Sequence, residues 1–295
     1  MPRWLDVHLP ERRVDERPWP KEEVWRAGRY RTVRTLLDLG VPRVDPLAEE
    51  NPLVFVAGPL AGTTFSNANR LSVGAKSPLT GGVKESNSGG TLAFAMGQWA
   101  IAGFTLFGRA PDWVVLVIGE KGVRFLDGRE FLGQGTYATV AELRRRFPKS
   151  AVAAIGPVGE YQGLLAGISI TDTDGLPGRI AGRGGLGAVM GAKRVKAIVI
   201  ENPGTPPREK KKFFDELRAY GKLLRENPVT GDYYPKLGTA GMADYQNVAG
   251  GLPVKNFRYG RLTEGPVPIG GEALRERILE RDGQGTPTHA CMPGC

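Results

Sequence analysis

A chain of 295 residues, 41% hydrophobic and 24% charged, is long and apolar enough to bury a core in one large domain or two ordinary ones. No apolar run reaches the roughly eighteen residues of a membrane span, and the amino-terminal "MPRWLDVHLPERRVDERPWPKEE" is too charged for a secretory h-region, so the expectation is a soluble, cytoplasmic protein. The formal charge of +9 favours acidic partners or anionic ligands, and 42 glycines with 23 prolines promise many tight turns.

Residues 1 to 50 are rich in Arg, Glu and Pro, and "WRAGRYRTVRTLLDLG" within them reads as a helix ending at Gly40. "PLVFVAGPL" follows as a short β-rich run closed by Gly-Pro, a buried strand that turns sharply. "RLSVGAKSP" reads as a strand, "TLAFAMGQWAIAGF" as a helix of small residues, and "DWVVLVIGEKGVRFLDG" as a β-hairpin around Glu120, Lys121 and Gly122. "TVAELRRRFPKS" is a helix stopped by Pro148, and "AVAAIGPVGE" and "VKAIVIEN" are further strands. Composition changes after "NPGTPP", which places a boundary near Thr205. The next segment, "REKKKFFDELRAYGKLLRENP", spaces Phe213, Phe214, Leu217, Tyr220, Leu223 and Leu224 along one helical face. "YYPKLGTAGMADYQNVAGGLPVKNFRYG" is turn-rich, and a second helix, "GEALRERILERDG", leads to the terminal segment "THACMPGC". The basic runs Arg144 to Arg146 and Lys210 to Lys212 lie on amphipathic helices and read as solvated faces rather than nucleic-acid contacts.

Three stretches could carry chemistry. "GRIAGRGGLGAVMGAKRVKAIVIEN" satisfies G-x-G-x-x-G at Gly182, Gly184 and Gly187, with Glu201 about twenty residues on. The preceding "TDTDGLPGRIA" is broken by Gly175, Pro177 and Gly178, so the strand that a dinucleotide fingerprint requires is not expected. Two readings remain open: backbone N–H groups beside Arg179 and Arg183 hold an anion, or the glycines allow close packing. In "NRLSVGAKSPLTGGVKESNSGG", Arg70, Lys76, Asn87, Gly89 and Gly90 lie in turns around a strand, and Ser88-Gly89-Gly90 opens a helix whose free N–H groups suit phosphate. No serine has a histidine base at hand, and His8 reads as a surface residue, which disfavours a hydrolase triad. The third stretch is the carboxyl end. Cys291 and Cys295 are the only cysteines and are either free thiols or metal ligands, two where a zinc or iron–sulfur site wants four.

Six segments, "AGPLAGT", "NRLSVGAKSPLTGGVKESNSGG", "AAIGPVGE", "AGRGGLGAVMGAKRVKAIVIE", "YPKLGTAGM" and "LPVKNFRYG", resemble in order the landmarks of the tungsten- or molybdenum-dependent aldehyde:ferredoxin oxidoreductases. The likeness runs from about Leu53 to the carboxyl terminus and is poor before it. The resemblance implies an α+β fold: residues 1–204 as a pterin-binding platform of two β-sheets with short helices, and 205–295 as the start of a mainly helical domain. It implies a tungsten or molybdenum bis-pyranopterin, magnesium and a [4Fe-4S] cluster. Arg70, Gly89, Arg179, Ala181 and Gly182 would contact the pterins, Asn87 and the Ile180 carbonyl would bind magnesium, and Cys291 and Cys295 would be two cluster ligands. The residues that do the acid–base chemistry are not identified. Two positions depart from the family: Thr288 stands where the first cluster cysteine is expected, beside His289, and Ile180 replaces a small residue.

The implied reaction is oxidation of a small aldehyde to a carboxylic acid, with electrons passing to ferredoxin or a similar acidic carrier. The remaining partners implied are a carboxyl-terminal half or split subunit and a second copy in a homodimer, with no nucleic acid and no membrane. The alternative is a truncated, non-catalytic paralogue that keeps the β-fold; an unrelated nucleotide-binding module is disfavoured by the ordered landmarks.

Overall fold

The computed structural model describes residues 2–203, 213–262, 264–282 and 285–295. The boundary expected near Thr205 and the Lys210 to Lys212 run lie outside the described residues. The chain divides into two compact units, Met1–Glu209 with Cys291–Cys295, and Lys210–Ala290.

The first unit opens with strands β1 (Arg3–His8) and β2 (Arg13–Pro18), then helix α1 (Gly28–Asp38) and strand β3 (Leu53–Ala57). Strands β4 (Leu71–Lys76) and β5 (Val83–Ser88) follow, then α2 (Leu92–Gln98), β6 (Ile101–Phe107), β7 (Val114–Gly119) and β8 (Gly122–Asp127). After α3 (Thr136–Arg146) come β9 (Ala151–Ala154), α4 (Pro157–Glu160), β10 (Ile168–Ile170), β11 (Arg179–Ala181), α5 (Leu186–Ala192) and β12 (Val195–Ile200). These strands form two six-stranded sheets, ordered β2-β1-β6-β3-β4-β5 and β11-β10-β9-β12-β7-β8. Each is mixed, with one parallel pair, β1 with β6 and β7 with β12, among antiparallel neighbours.

Both sheets are covered on two sides, which explains why their central strands are unbroken apolar runs. Leu53, Phe55, Val73 and Phe104 of one sheet pack with Leu116, Ile118, Ile198 and Ile200 of the other, with α2 and α5 between them. On the outer faces, α1 packs Leu36 with Trp4, Val54 and Val56, while α3 packs Val140 and Leu143 against Val115, Val152 and Val199. The order is α1, one sheet, a middle layer of α2 and α5, the other sheet, α3. A doubly wound parallel sheet is absent from the described residues.

Several local expectations hold: the helix stops where Gly40 turns left-handed (φ 68°), the 114–127 hairpin closes at Glu120-Lys121, and α3 carries Arg144 to Arg146. Arg145 and Arg146 pair with Glu142, and Arg146 also with Glu130. They are a solvated, ion-paired face. Three expectations are corrected. "TLAFAMGQWAIAGF" is not one helix, because after α2 it becomes β6, whose Gly103 has no room for a Cβ against the Trp4 ring. The first fifty residues supply β1 and β2, since polar side chains suit the exposed edge strand β2. A short strand, β11, does precede Gly182, but it is an antiparallel edge pair with β10, not the parallel strand of a dinucleotide fold.

The second unit contains α6 (Phe214–Glu226), a π-helical turn (Val229–Tyr233), α7 (Tyr234–Leu237), α8 (Met242–Ala249) and α9 (Gly271–Glu280). The segment read as turn-rich is therefore largely helical. Its apolar side chains are mostly uncovered: on α6, Phe214, Tyr220 and Leu223 are exposed, and Leu237, Leu252 and Val267 are the buried apolar residues among those described in this unit.

Candidate functional site

Strands β4 and β5 run antiparallel and place Ser72 opposite Asn87, so that Arg70, just before β4, reaches across to the far end of β5. Arg70 Nε donates to Asn87 Oδ1. Ser72 Oγ ties the same face down, donating to Glu85 Oε1 at 2.9 Å and lying 2.8 Å from Thr32 Oγ1 of α1. Beyond Asn87 the chain passes through Ser88, Gly89 and Gly90, all buried.

The glycine-rich segment that follows β11 runs back along β5: Arg183 N donates to Ser86 Oγ at 3.1 Å, and the Gly184 carbonyl accepts from Ser77 Oγ at 2.7 Å at the other end of β4. Gly90 adopts φ 94°, and a Cβ there would lie 2.7 Å from the Thr171 carbonyl and 3.5 Å from Arg179 Cβ. Asn87 and Arg179, 92 positions apart, thus lie at one end of the unit, on adjoining strands of different sheets.

The terminal cysteines arrive at the same place. Gly90 N donates to the Cys291 carbonyl at 2.7 Å, and Gly89 has no room for a Cβ against that carbonyl. The Cys291 and Cys295 thiols are 3.3 Å apart, the first half-buried and the second exposed. Burial, then the neighbouring Cys295, pushes the Cys291 thiol pKa up, while the positive charges of Arg70 and Arg179 pull it down. Arg70, Asn87, Gly89, Arg179, Cys291 and Cys295 therefore converge. Ala181 is buried on β11; Ile180 is 56% exposed, with Gly182 open beside it except for the Ile180 side chain, 3.3 Å from where a Cβ would stand.

The helix that follows Ser88-Gly89-Gly90 is α2, and the N–H groups just ahead of it are engaged, Gly90 N by the Cys291 carbonyl and Thr91 N by the Thr171 carbonyl at 2.8 Å. Of the two readings of "GRGGLGAVMG", close packing accounts for α5: all seven residues are buried, and Gly187 and Gly191 press on the backbones of Ala166–Gly167 and Gly159. His8 stacks on Phe107 and lies 3.1 Å from Asp15, a surface pairing away from this site.

Sequence reasoning missed Asn69. It is completely buried, accepts from Gly62 N and donates to the carbonyls of Thr63 and Pro293, each at 2.9 Å. The one available signal was an Asn immediately before the first strand residues of a quoted landmark.

The donor set suits the group that the resemblance implies: soft sulfur ligands, two guanidinium groups, an amide oxygen and an open glycine edge share one rim, and buried Ser88 Oγ has no partner among the described residues. Two features fit less well. Asn87 Oδ1 is engaged by Arg70, and Thr288 Oγ1 donates to the Pro235 carbonyl at 2.7 Å.

Residues 4–202 match the aldehyde ferredoxin oxidoreductase N-terminal domain, and residues 216–295 match domains 2 and 3 of that family. The match begins well before Leu53, so the poor likeness ascribed to the first fifty residues is corrected. A tungsten-containing aldehyde ferredoxin oxidoreductase from Pyrococcus furiosus is 36% identical over 96% of this chain and 46% of its own length. The corresponding protein of Thermococcus kodakarensis is 34% identical over 99% of this chain and 48% of its own. An aliphatic sulfonate oxidoreductase, WOR-like subunit, from Pyrococcus furiosus is 32% identical over 62% of this chain and 31% of its own. Among solved structures, the active-site complex of a benzoyl coenzyme A reductase with 1,5-dienoyl-CoA superposes with a TM-score of 0.68 at 30% identity, covering 80% of this chain and 36% of that one. The chain spans about half the length of the curated aldehyde ferredoxin oxidoreductases it matches. No described helix is long and apolar enough to cross a membrane. On the match of both domain families and of relatives across nearly its whole length, the chain belongs to the aldehyde ferredoxin oxidoreductase family.

Proposed function

We propose that this chain is the pterin-platform part of a tungsten- or molybdenum-dependent oxidoreductase that oxidises small aldehydes to carboxylic acids and delivers electrons through a [4Fe-4S] cluster to ferredoxin. The observation that carries the reading is the convergence of Arg70, Asn87, Gly89, Arg179 and the Cys291–Cys295 pair on one end of the first unit. The bound metal–pterin group supplies two-electron oxidation of the aldehyde by water, and the cluster supplies one-electron transfer onward.

The chain's own residues hold and orient. Arg70 and Arg179 neutralise anionic pterin phosphates, a charge-assisted interaction stronger than a neutral hydrogen bond. Asn87 offers Oδ1 to magnesium when Arg70 turns to phosphate, and the Ile180 carbonyl is the second magnesium ligand. The Ala181–Gly182 backbone approaches the pterin where the missing side chain of Gly182 leaves space. Cys291 and Cys295 supply two cluster thiolates, and at Cys291 the positive charges of Arg70 and Arg179 oppose the upward push of burial on the thiol.

The test is metal analysis of the 295-residue chain made anaerobically with tungstate, molybdate and iron. Tungsten or molybdenum retained with iron, and lost in an Arg70→Ala, Arg179→Ala double variant that keeps its far-UV circular dichroism, supports the reading. A folded chain carrying neither metal would identify it as the non-catalytic paralogue.

A further inference from the structure

The five residues from Cys291 to Cys295 lie in a built seat. Met292 is 1% exposed, Gly90 N holds the Cys291 carbonyl, and Gly294, at φ 82°, would press a Cβ to 2.8 Å from the Thr64 carbonyl and 2.9 Å from that of Phe65. From outside the loop, the Asn69 side chain reaches in to hold its backbone. Both of its N–H groups are used: the two Nδ2 protons go to Thr63 O within its own loop and to Pro293 O between the cysteines, while Oδ1 accepts from Gly62 N. A completely buried amide satisfied in this way favours the docked loop, because undocking strands one N–H away from water. Its chain neighbour, Arg70, contacts Asn87, so one dipeptide touches both the cysteine loop and the anion-binding strand.

We propose that Asn69 is a positioning residue that sets the Cys291–Cys295 loop in its metal-binding geometry. The inference rests on the reading of those cysteines as metal ligands. Groups that orient ligands from behind typically change metal affinity 10–100-fold when removed.

The probe is Co2+, titrated anaerobically into the reduced 295-residue chain and followed by thiolate-to-cobalt charge-transfer absorption, with Cys291→Ser, Cys295→Ser as the blank. The second readout is the iodoacetamide alkylation rate of Cys291, resolved from Cys295 by peptide mass mapping. Asn69→Ala is expected to weaken Co2+ about 10–100-fold and to speed Cys291 alkylation several-fold. Asn51→Ala removes another completely buried amide of the same unit, bonded to Pro46 and Lys76 away from the cysteines, and is expected to leave both readouts at the wild-type value. If Asn69→Ala does not fold, Gly294→Ala tests the seat from the loop's side and is expected to give the same two changes. A folded Asn69→Ala chain with wild-type Co2+ affinity and alkylation rate overturns the proposal, as does an Asn51→Ala chain that changes both equally. If the wild-type chain gives no thiolate band, the cysteines are not ligands. The seat is then judged on alkylation alone.

Discussion

Lys193 should make the stability of the first unit depend on pH in a direction opposite to that of an ordinary ion pair. It follows α5 and is 1% exposed; its Nζ donates to Gly108 O at 2.9 Å and Glu49 O at 3.3 Å, linking the end of one sheet to the helix entering the other. Burial pushes its ammonium down from 10.5 to about 7, with Glu49 opposing and Arg109 assisting. Between those values the unfolded chain holds one proton more than the folded one, so stability rises with pH from about 7 to 10.5 and is flat below. At about 1.4 kcal/mol per pH unit the window amounts to about 5 kcal/mol. Lys193→Met keeps the stem volume, removes the charge and gives up two hydrogen bonds of about 1 kcal/mol each. The variant should therefore be more stable than wild type by about 3 kcal/mol at pH 6.5 and less stable by about 2 kcal/mol near pH 10.5. Urea unfolding followed by tryptophan fluorescence reads this unit, because all five tryptophans lie in it. Parallel stability curves for the two proteins across that range would refute the reasoning.

Lys196 is also completely buried, and its Nζ bonds Glu160 Oε1 at 2.5 Å and Gln134 O at 2.9 Å; Glu160→Gln should cost about 3 kcal/mol at pH 7, seen as a lower urea midpoint, and a loss under about 1 kcal/mol would show that the pair is not needed. Gly90→Ala places a methyl 2.7 Å from Thr171 O and Ile170 at φ 94°, so it should lower the melting temperature and expose Cys291 to alkylation together; wild-type values of both would contradict the geometry. Asp15→Asn, which removes an exposed carboxylate partner of Arg13 and His8, should leave the urea midpoint at the wild-type value, and a clear drop would show that this surface pairing contributes to stability. Thr288→Cys, offering a third thiolate in place of a hydroxyl now donated to Pro235 O, should raise iron bound after anaerobic reconstitution, and unchanged iron would show that position 288 is no ligand site.

What was legible in the chain depended on whether the cause was local. Strands β3, β7 and β12 are apolar on both faces because both faces are covered, and that pattern survives in one dimension. Strand β6 was misread because its signal is not its own: Gly103 weakens any β-propensity, and the Trp4 ring, 99 positions away, fills the space a side chain would take there. The second unit was misread for a related reason. Gly238, Gly241 and Pro235 suggest turns, yet they begin and end short helices that meet at Gly241 and Gly271.

The candidate site divides in the same way. Arg70, Asn87, Gly89, Arg179 and the cysteines could be named through the resemblance, whereas their division of labour needed coordinates. Gly89 would be read from sequence as a contact for a ligand, and it still borders the rim; its missing Cβ, however, makes room for the Cys291 carbonyl, and Gly90 supplies the N–H that holds that carbonyl. A glycine pair can serve a cofactor indirectly, by letting the loop that binds one group lie against the strand that binds another. The same logic explains why Asn69 escaped notice. An amide that bonds only backbone has no sequence pattern of its own, and its importance appears once Pro293, 224 positions later, is found to be one of its partners.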